Sequence, residues 1–184
     1  MDSNRGRASA DERKHREDML SGLYQEYYDK IARYAYARIG NMAEAEDLAG
    51  EVFLRALRSL GSYQERYVPM HAWLFKIAHN LVIDYFRKAA KQKTVPIDDL
   101  QMANEENPQD VAEKNIELER IKQAMKYLTE EQKEVLNLRF FGGLTSKEAG
   151  QLLKKSDGAV REMQRAAIEK LRMLLTANDG ISEE

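Results

Sequence analysis

The sequence predicts an all-α protein of two small helical domains joined by an acidic, flexible linker, the C-terminal one containing a helix-turn-helix. Three observations predict it. Apolar residues recur at three- and four-residue spacing in both halves of the chain, the period of helices with one buried face. Helix-start signals punctuate that pattern at Asn41, Thr129, Thr145 and Ser156. Between the halves, residues 92–117 hold 2 basic against 7 acidic groups and two of the 3 prolines, Pro96 and Pro108.

Length and composition set the outer limits. The chain has 184 residues, 43% hydrophobic and 33% charged, enough for a packed core but only for one or two small domains. Its 29 basic and 31 acidic residues nearly cancel, which excludes a strongly basic, autonomous nucleic-acid binder. Any basic surface must be local: residues 1–91 hold 15 basic and 13 acidic groups, and residues 118–184 hold 12 and 11. The absence of cysteine excludes a disulfide framework and thiolate metal sites and points to a reducing compartment, so the cytoplasm is expected. The uncharged stretch from Tyr67 to Phe75 is only 9 residues long, whereas a spanning helix needs about 20 apolar residues.

The elements follow in order. Residues 1–17 alternate charges with small polar groups and read as a disordered tail. From 18 to 91 an apolar stripe runs through Leu20, Leu23, Tyr27, Ile31 and Tyr34, then Leu48, Val52, Phe53 and Ala56. Asn41 marks the start of the second helix, with Glu44 in its first turn near the positive dipole end. Gly61 and Ser62 close it, and Pro69 opens a third helix with Leu74, Ile77, Ala78, Leu81 and Tyr85 inward. Residues 92–117 form the linker and 118–176 the second domain, with 177–184 as a C-terminal tail.

In the second domain, Thr129 with Gln132 and Thr145 with Glu148 have the spacing of capping boxes. They predict helices over 118–127, 130–141, 146–153 and 157–175, with a Gly142-Gly143 turn between the second and third. A short capped helix, the turn Lys154-Lys155-Ser156 and a longer amphipathic helix are the layout of a helix-turn-helix. On the longer helix Arg161, Glu162, Gln164 and Arg165 face outward, the residue types that read base edges, and Lys154 and Lys155 would lie against phosphate. The bland alternative is a solvated face of a helical hairpin.

The first domain has its own candidates. Lys76, Asn80, Asp84, Arg87 and Lys91 step by 4, 4, 3 and 4 along one helix face, beside the aromatic residues Tyr63, Tyr67 and Trp73. Aromatic groups interleaved with basic and amide groups suit unstacked bases, against the plain reading of core aromatics and ordinary surface. Glu44, Asp47 and Glu51 cluster on another helix, but the histidine partners of a dimetal site are missing, and no triad or phosphate loop occurs. No catalytic residue, metal or cofactor is expected, and the protein is expected not to be an enzyme.

The order of these motifs resembles an extracytoplasmic-function (ECF) sigma factor, a two-domain group within the sigma-70 family of bacterial transcription initiation factors. The resemblance rests on AEAEDLAGEVFLRAL (43–57), AWLFKIAHNLVIDYFRK (72–88) and LTEEQKEVLNLRFFGGLTSKEAGQLLKKSDGAVREMQRAAIEKLR (128–172). It implies a factor that binds core RNA polymerase, directs it to specific promoters and helps melt the minus-ten region; the alternative is a two-domain helical adaptor or anti-activator that binds protein only, without promoter recognition. By that resemblance Asp47, Leu48, Glu51, Val52 and Phe53 would dock on the beta-prime coiled coil of a polymerase that also offers its beta subunit. Tyr63, Tyr67, Lys76, Asn80, Asp84 and Arg87 would hold the melted minus-ten strand. Lys154, Lys155, Ser156, Arg161, Glu162, Gln164 and Arg165 would meet the minus-thirty-five element, and an anti-sigma factor is an implied further partner.

The sequence departs from the family pattern at five places. Gly50 stands for a usual Gln, Gly150 for Ala, Lys154 for the turn Gly, and Ala166 for a frequent Arg, while Lys155 fills an apolar turn position. These departures imply a more flexible polymerase-facing helix and looser packing between the two helices of the helix-turn-helix.

Overall fold

A computed structural model describes residues 3–63, 68–92 and 119–179. The chain divides into two compact units, Met1–Leu100 and Gln101–Glu184. Among the described residues the regular structure is helical throughout.

The first unit is a bundle of α1 (Ser3–Ile39), α2 (Met42–Ser59) and α3 (Met70–Gln92), with a short 3-10 turn at Leu60–Ser62. Its core comes from the stripes the periodicity marks: Leu20, Ile31 and Tyr34 of α1, Val52 and Phe53 of α2, and Leu74, Phe75 and Ala78 of α3 are buried. Rings lock the packing, with Tyr34 edge-on to Phe75 at 5.7 Å and Tyr24 edge-on to Phe53 at 4.8 Å. The Asn41 side chain accepts a hydrogen bond from the Glu44 amide at 3.1 Å, the cap expected there. The Pro69 carbonyl accepts from the Trp73 amide at 3.0 Å and so begins the ladder of α3.

The N-terminal segment differs from the expectation of a tail over 1–17, because α1 begins at Ser3. No proline occurs before Pro69, and alanine, arginine, glutamate and lysine between positions 5 and 17 favour helix. Once Leu20 and the residues after it are anchored, extending the helix backwards adds a hydrogen bond per residue without a second nucleus.

The second unit contains α4 (119–125), α5 (Glu130–Phe140), α6 (Ser146–Leu153) and α7 (Asp157–Asp179). Both capping boxes form, at Thr129 with Gln132 and at Thr145 with Glu148, and Ser156 Oγ accepts from the Ala159 amide at 3.1 Å. Gly143 takes a φ of +64° in the turn between α5 and α6. Leu128, Leu136 and Ala167 form a buried cluster, joined by Met125, Ile168 and Leu171. Five consecutive residues of α5, Glu134 to Leu138, are buried because neighbours cover it on several sides. α7 continues to Asp179, beyond the expected end at 175 and into the expected tail 177–184. Of the linker expected over 92–117, Gln92 ends α3 and the remainder lies outside the described residues.

Candidate functional site

The helix-turn-helix is shaped by one close approach. The Gly150 carbonyl accepts from the Lys154 amide and, at 2.8 Å, from the Lys155 amide, which closes the end of α6. Lys154 adopts a left-handed conformation, φ 56° and ψ 42°, the one that a turn glycine takes without strain. A Cβ on Gly150 would lie 2.7 Å from the Lys155 carbonyl oxygen. The missing methyl lets the turn fold tightly onto α6.

The side chains of the turn and of α7 are paired. Lys155 reaches Glu131 of α5 at 2.8 Å with its side chain only 27% exposed, so it braces the turn instead of standing free for phosphate. An apolar turn position can hold a lysine because its methylene stem packs while the ammonium finds a carboxylate. Lys154 and Ser156 are exposed, although the Ser156 hydroxyl already caps α7.

Arg161 pairs with Asp157 at 2.8 Å. Arg165 donates to both oxygens of Glu162, at 3.1 and 2.5 Å, and to Glu169 at 2.7 Å. These bonds hold the Glu162 carboxyl below the usual glutamate range and stabilise the charged guanidinium. Gln164 turns away from this face: its Oε1 accepts from Arg139 Nε at 2.9 Å, and Arg139 also donates to the Leu144 carbonyl. Gln164 is thus corrected from an outward reader to a half-buried tie between α7 and α5. In the sequence Arg139 is marked only by its place in the last turn of α5.

In the first unit Lys76, Asn80 and Arg87 are exposed along α3, and Asp84, half-buried, pairs with Arg87 at 2.9 Å. Asn80 borders a shallow depression with Ile77 of its own helix and Arg55, Arg58 and Ser59 of α2. Arg55 and Arg58 carry no motif in the sequence beyond a spacing of three, which puts them on one helix face. Tyr63 is buried, its hydroxyl donating to the Val68 carbonyl at 2.8 Å and its ring 4.8 Å from Trp73. That corrects Tyr63 from a base-stacking surface to a clasp of the connection between α2 and α3. Tyr67 lies outside the described residues.

On α2, Leu48, Val52 and Phe53 face the core, which corrects their assignment as direct contacts for a partner. The outward face instead shows Asp47 and the partly exposed Glu51 beside Leu54 and Leu57, each 50% exposed. Hydrogen bonding from Arg55, at 2.8 Å, keeps the Glu51 carboxyl below its usual range. Among the described residues no group of three or more His, Asp or Glu side chains is placed to hold a metal ion.

Residues 23–92 match the Sigma-70 region 2 family and residues 124–173 match Sigma-70, region 4. The ECF RNA polymerase sigma factor SigL of Mycobacterium tuberculosis is 30% identical over 159 residues, covering 85% of this chain and 89% of SigL. This chain belongs to the ECF sigma factors. The ECF RNA polymerase sigma factor BldN of Streptomyces coelicolor is 36% identical over 160 residues, covering 86% of this chain and 61% of BldN. The chain thus spans under two thirds of the length of that relative. The fold is shared with the sigma factor RpoE solved with the anti-sigma factor NepR from Bartonella quintana, at a TM-score of 0.70 and 21% identity, over 87% of this chain and 98% of that one. No helix among the described residues of this sigma factor is long and apolar enough to cross a membrane.

Proposed function

We propose that this ECF sigma factor recruits core RNA polymerase to a restricted set of promoters and helps open their minus-ten region, acting in the cytoplasm and without catalysis of its own. The observation that carries the reading is the succession of a region 2 unit and a region 4 unit with different exposed chemistry. Asp47 and Glu51 with Leu54 and Leu57 give α2 an acidic and apolar outward face, suited to a basic, partly apolar helical partner such as the beta-prime coiled coil. Lys76, Asn80 and Arg87, beside Arg55 and Arg58, give the α2–α3 side a basic and amide surface suited to a single strand. The exposed start of α7 suits duplex DNA in the major groove.

The near-neutral chain fits a division of labour in which the polymerase supplies most phosphate affinity and the factor chooses among sequences. An anti-sigma protein masking one of these surfaces is the regulator this reading calls for. Copurification with core polymerase, followed by run-off transcription across genomic fragments, tests the proposal. Promoter-dependent transcripts from only a few fragments are expected; a chain that binds polymerase but yields none would overturn it in favour of a protein-only adaptor.

A further inference from the structure

We propose that Glu169 is a positioning residue for promoter reading, holding Arg165 from one side while Glu162 holds it from the other, so that Arg165 is directed to a guanine edge and away from phosphate. The inference rests on the proposed entry of α7 into promoter duplex. Arg165 uses Nε and Nη2 on the two oxygens of Glu162 and Nη1 on Glu169 Oε1. A guanidinium has five N–H donors, so these three bonds leave one N–H on each terminal nitrogen. Two such donors are what O6 and N7 of guanine accept together.

Charge sets the second half of the role. One cation between two carboxylates leaves the trio with a net charge of -1, which disfavours contact with phosphate, whereas an unpaired arginine binds any duplex through counterion release. Arg161 with Asp157 repeats the neutralisation one turn earlier. The side chains are exposed, 60% for Arg165 and 56% for Glu169, and an isolated pair there would contribute little. A bidentate pair extended into a three-member network is the exception, because its planar geometry fixes the guanidinium before DNA arrives. Glu162 lies towards the N-terminal, base-contacting end of α7, while Glu169 lies one turn beyond Arg165 and two beyond Glu162, and acts through Arg165.

The test uses the full chain with core polymerase and promoters randomised one position at a time across the upstream element. For Glu169→Ala, preference for guanine at a single position should fall by about two- to fivefold. Preference elsewhere and core binding should stay unchanged, and the slope of log affinity against log salt should steepen by up to about 1. Glu169→Gln, still a hydrogen-bond acceptor but uncharged, should regain much of the guanine preference while keeping the steeper slope. Arg165→Lys, which keeps the charge and loses the planar fork, should lose the preference at that same position. An unchanged base profile and salt slope in Glu169→Ala would overturn the proposal, as would a uniform loss at every position. If the unsubstituted protein ignores the upstream element altogether, the proposed promoter reading itself fails, a result separable from both.

Discussion

Gly50 and Gly150 both lie inside helices, at positions where the family pattern has a side chain, yet their surroundings are opposite. Around Gly50, on α2, a Cβ would meet nothing within 4 Å. At Gly150, on α6, it would lie 2.7 Å from a backbone oxygen that cannot swing aside as a side chain would. The same residue type is therefore a conformational weakness in the first unit and a packing requirement in the second. Helix propensity alone assigns both the same cost, so only the neighbour across the turn separates them.

The largest expected effect tests the tighter of the two. Gly150→Ala should destabilise the second unit by about 1–2 kcal/mol, the overpacking cost left after a helix-propensity gain of up to ~1 kcal/mol. Urea unfolding followed by a probe in that unit would measure it, and a stabilised protein would show that the turn yields freely. Lys154→Gly should act in the opposite direction in the same turn. Relief of the left-handed lysine is expected to stabilise the unit by roughly 0.5–1 kcal/mol, with a small loss of DNA affinity from the missing charge.

Gly50→Ala should stabilise the first unit by about 0.5–1 kcal/mol, since the methyl enters open space. A loss of stability there would mean that the two glycines are not different after all. The smallest effect compares the two exposed glutamates held by arginine, Glu51 by Arg55 and Glu162 by Arg165. Both should titrate below the ordinary glutamate value in NMR carboxyl titrations, and Arg165→Ala should raise Glu162 while leaving Glu51 where it was. Because the folded-state values are depressed, any stability these pairs contribute is present above the unfolded glutamate pKa and is lost as pH falls through the folded one.

Much of the fold was legible because its signals are local. The Thr129 and Thr145 capping boxes and the caps at Asn41 and Ser156 need only residues three apart. The site was less legible because periodicity locates a helix face without saying what covers it. Val52 and Phe53 belong to the same helix as Asp47, and only packing against α1 and α3 makes one set core and the other surface. Tyr63 has the composition of a base-stacking residue, but its hydroxyl is taken by the Val68 carbonyl. Gln164 looks outward in a helical count, and Arg139, 25 residues earlier, turns it inward.

By itself the sequence determined the all-helical class, the two units, the four cap sites and the order of family motifs, since each depends on residues close together along the chain. Tertiary structure alone decided that Gly150 is a contact point, that Lys155 braces the turn through Glu131, and which apolar residues of α2 remain outside. Those outcomes depend on distances between segments remote in sequence, where a single backbone oxygen or carboxylate determines whether a side chain is admitted, paired or exposed.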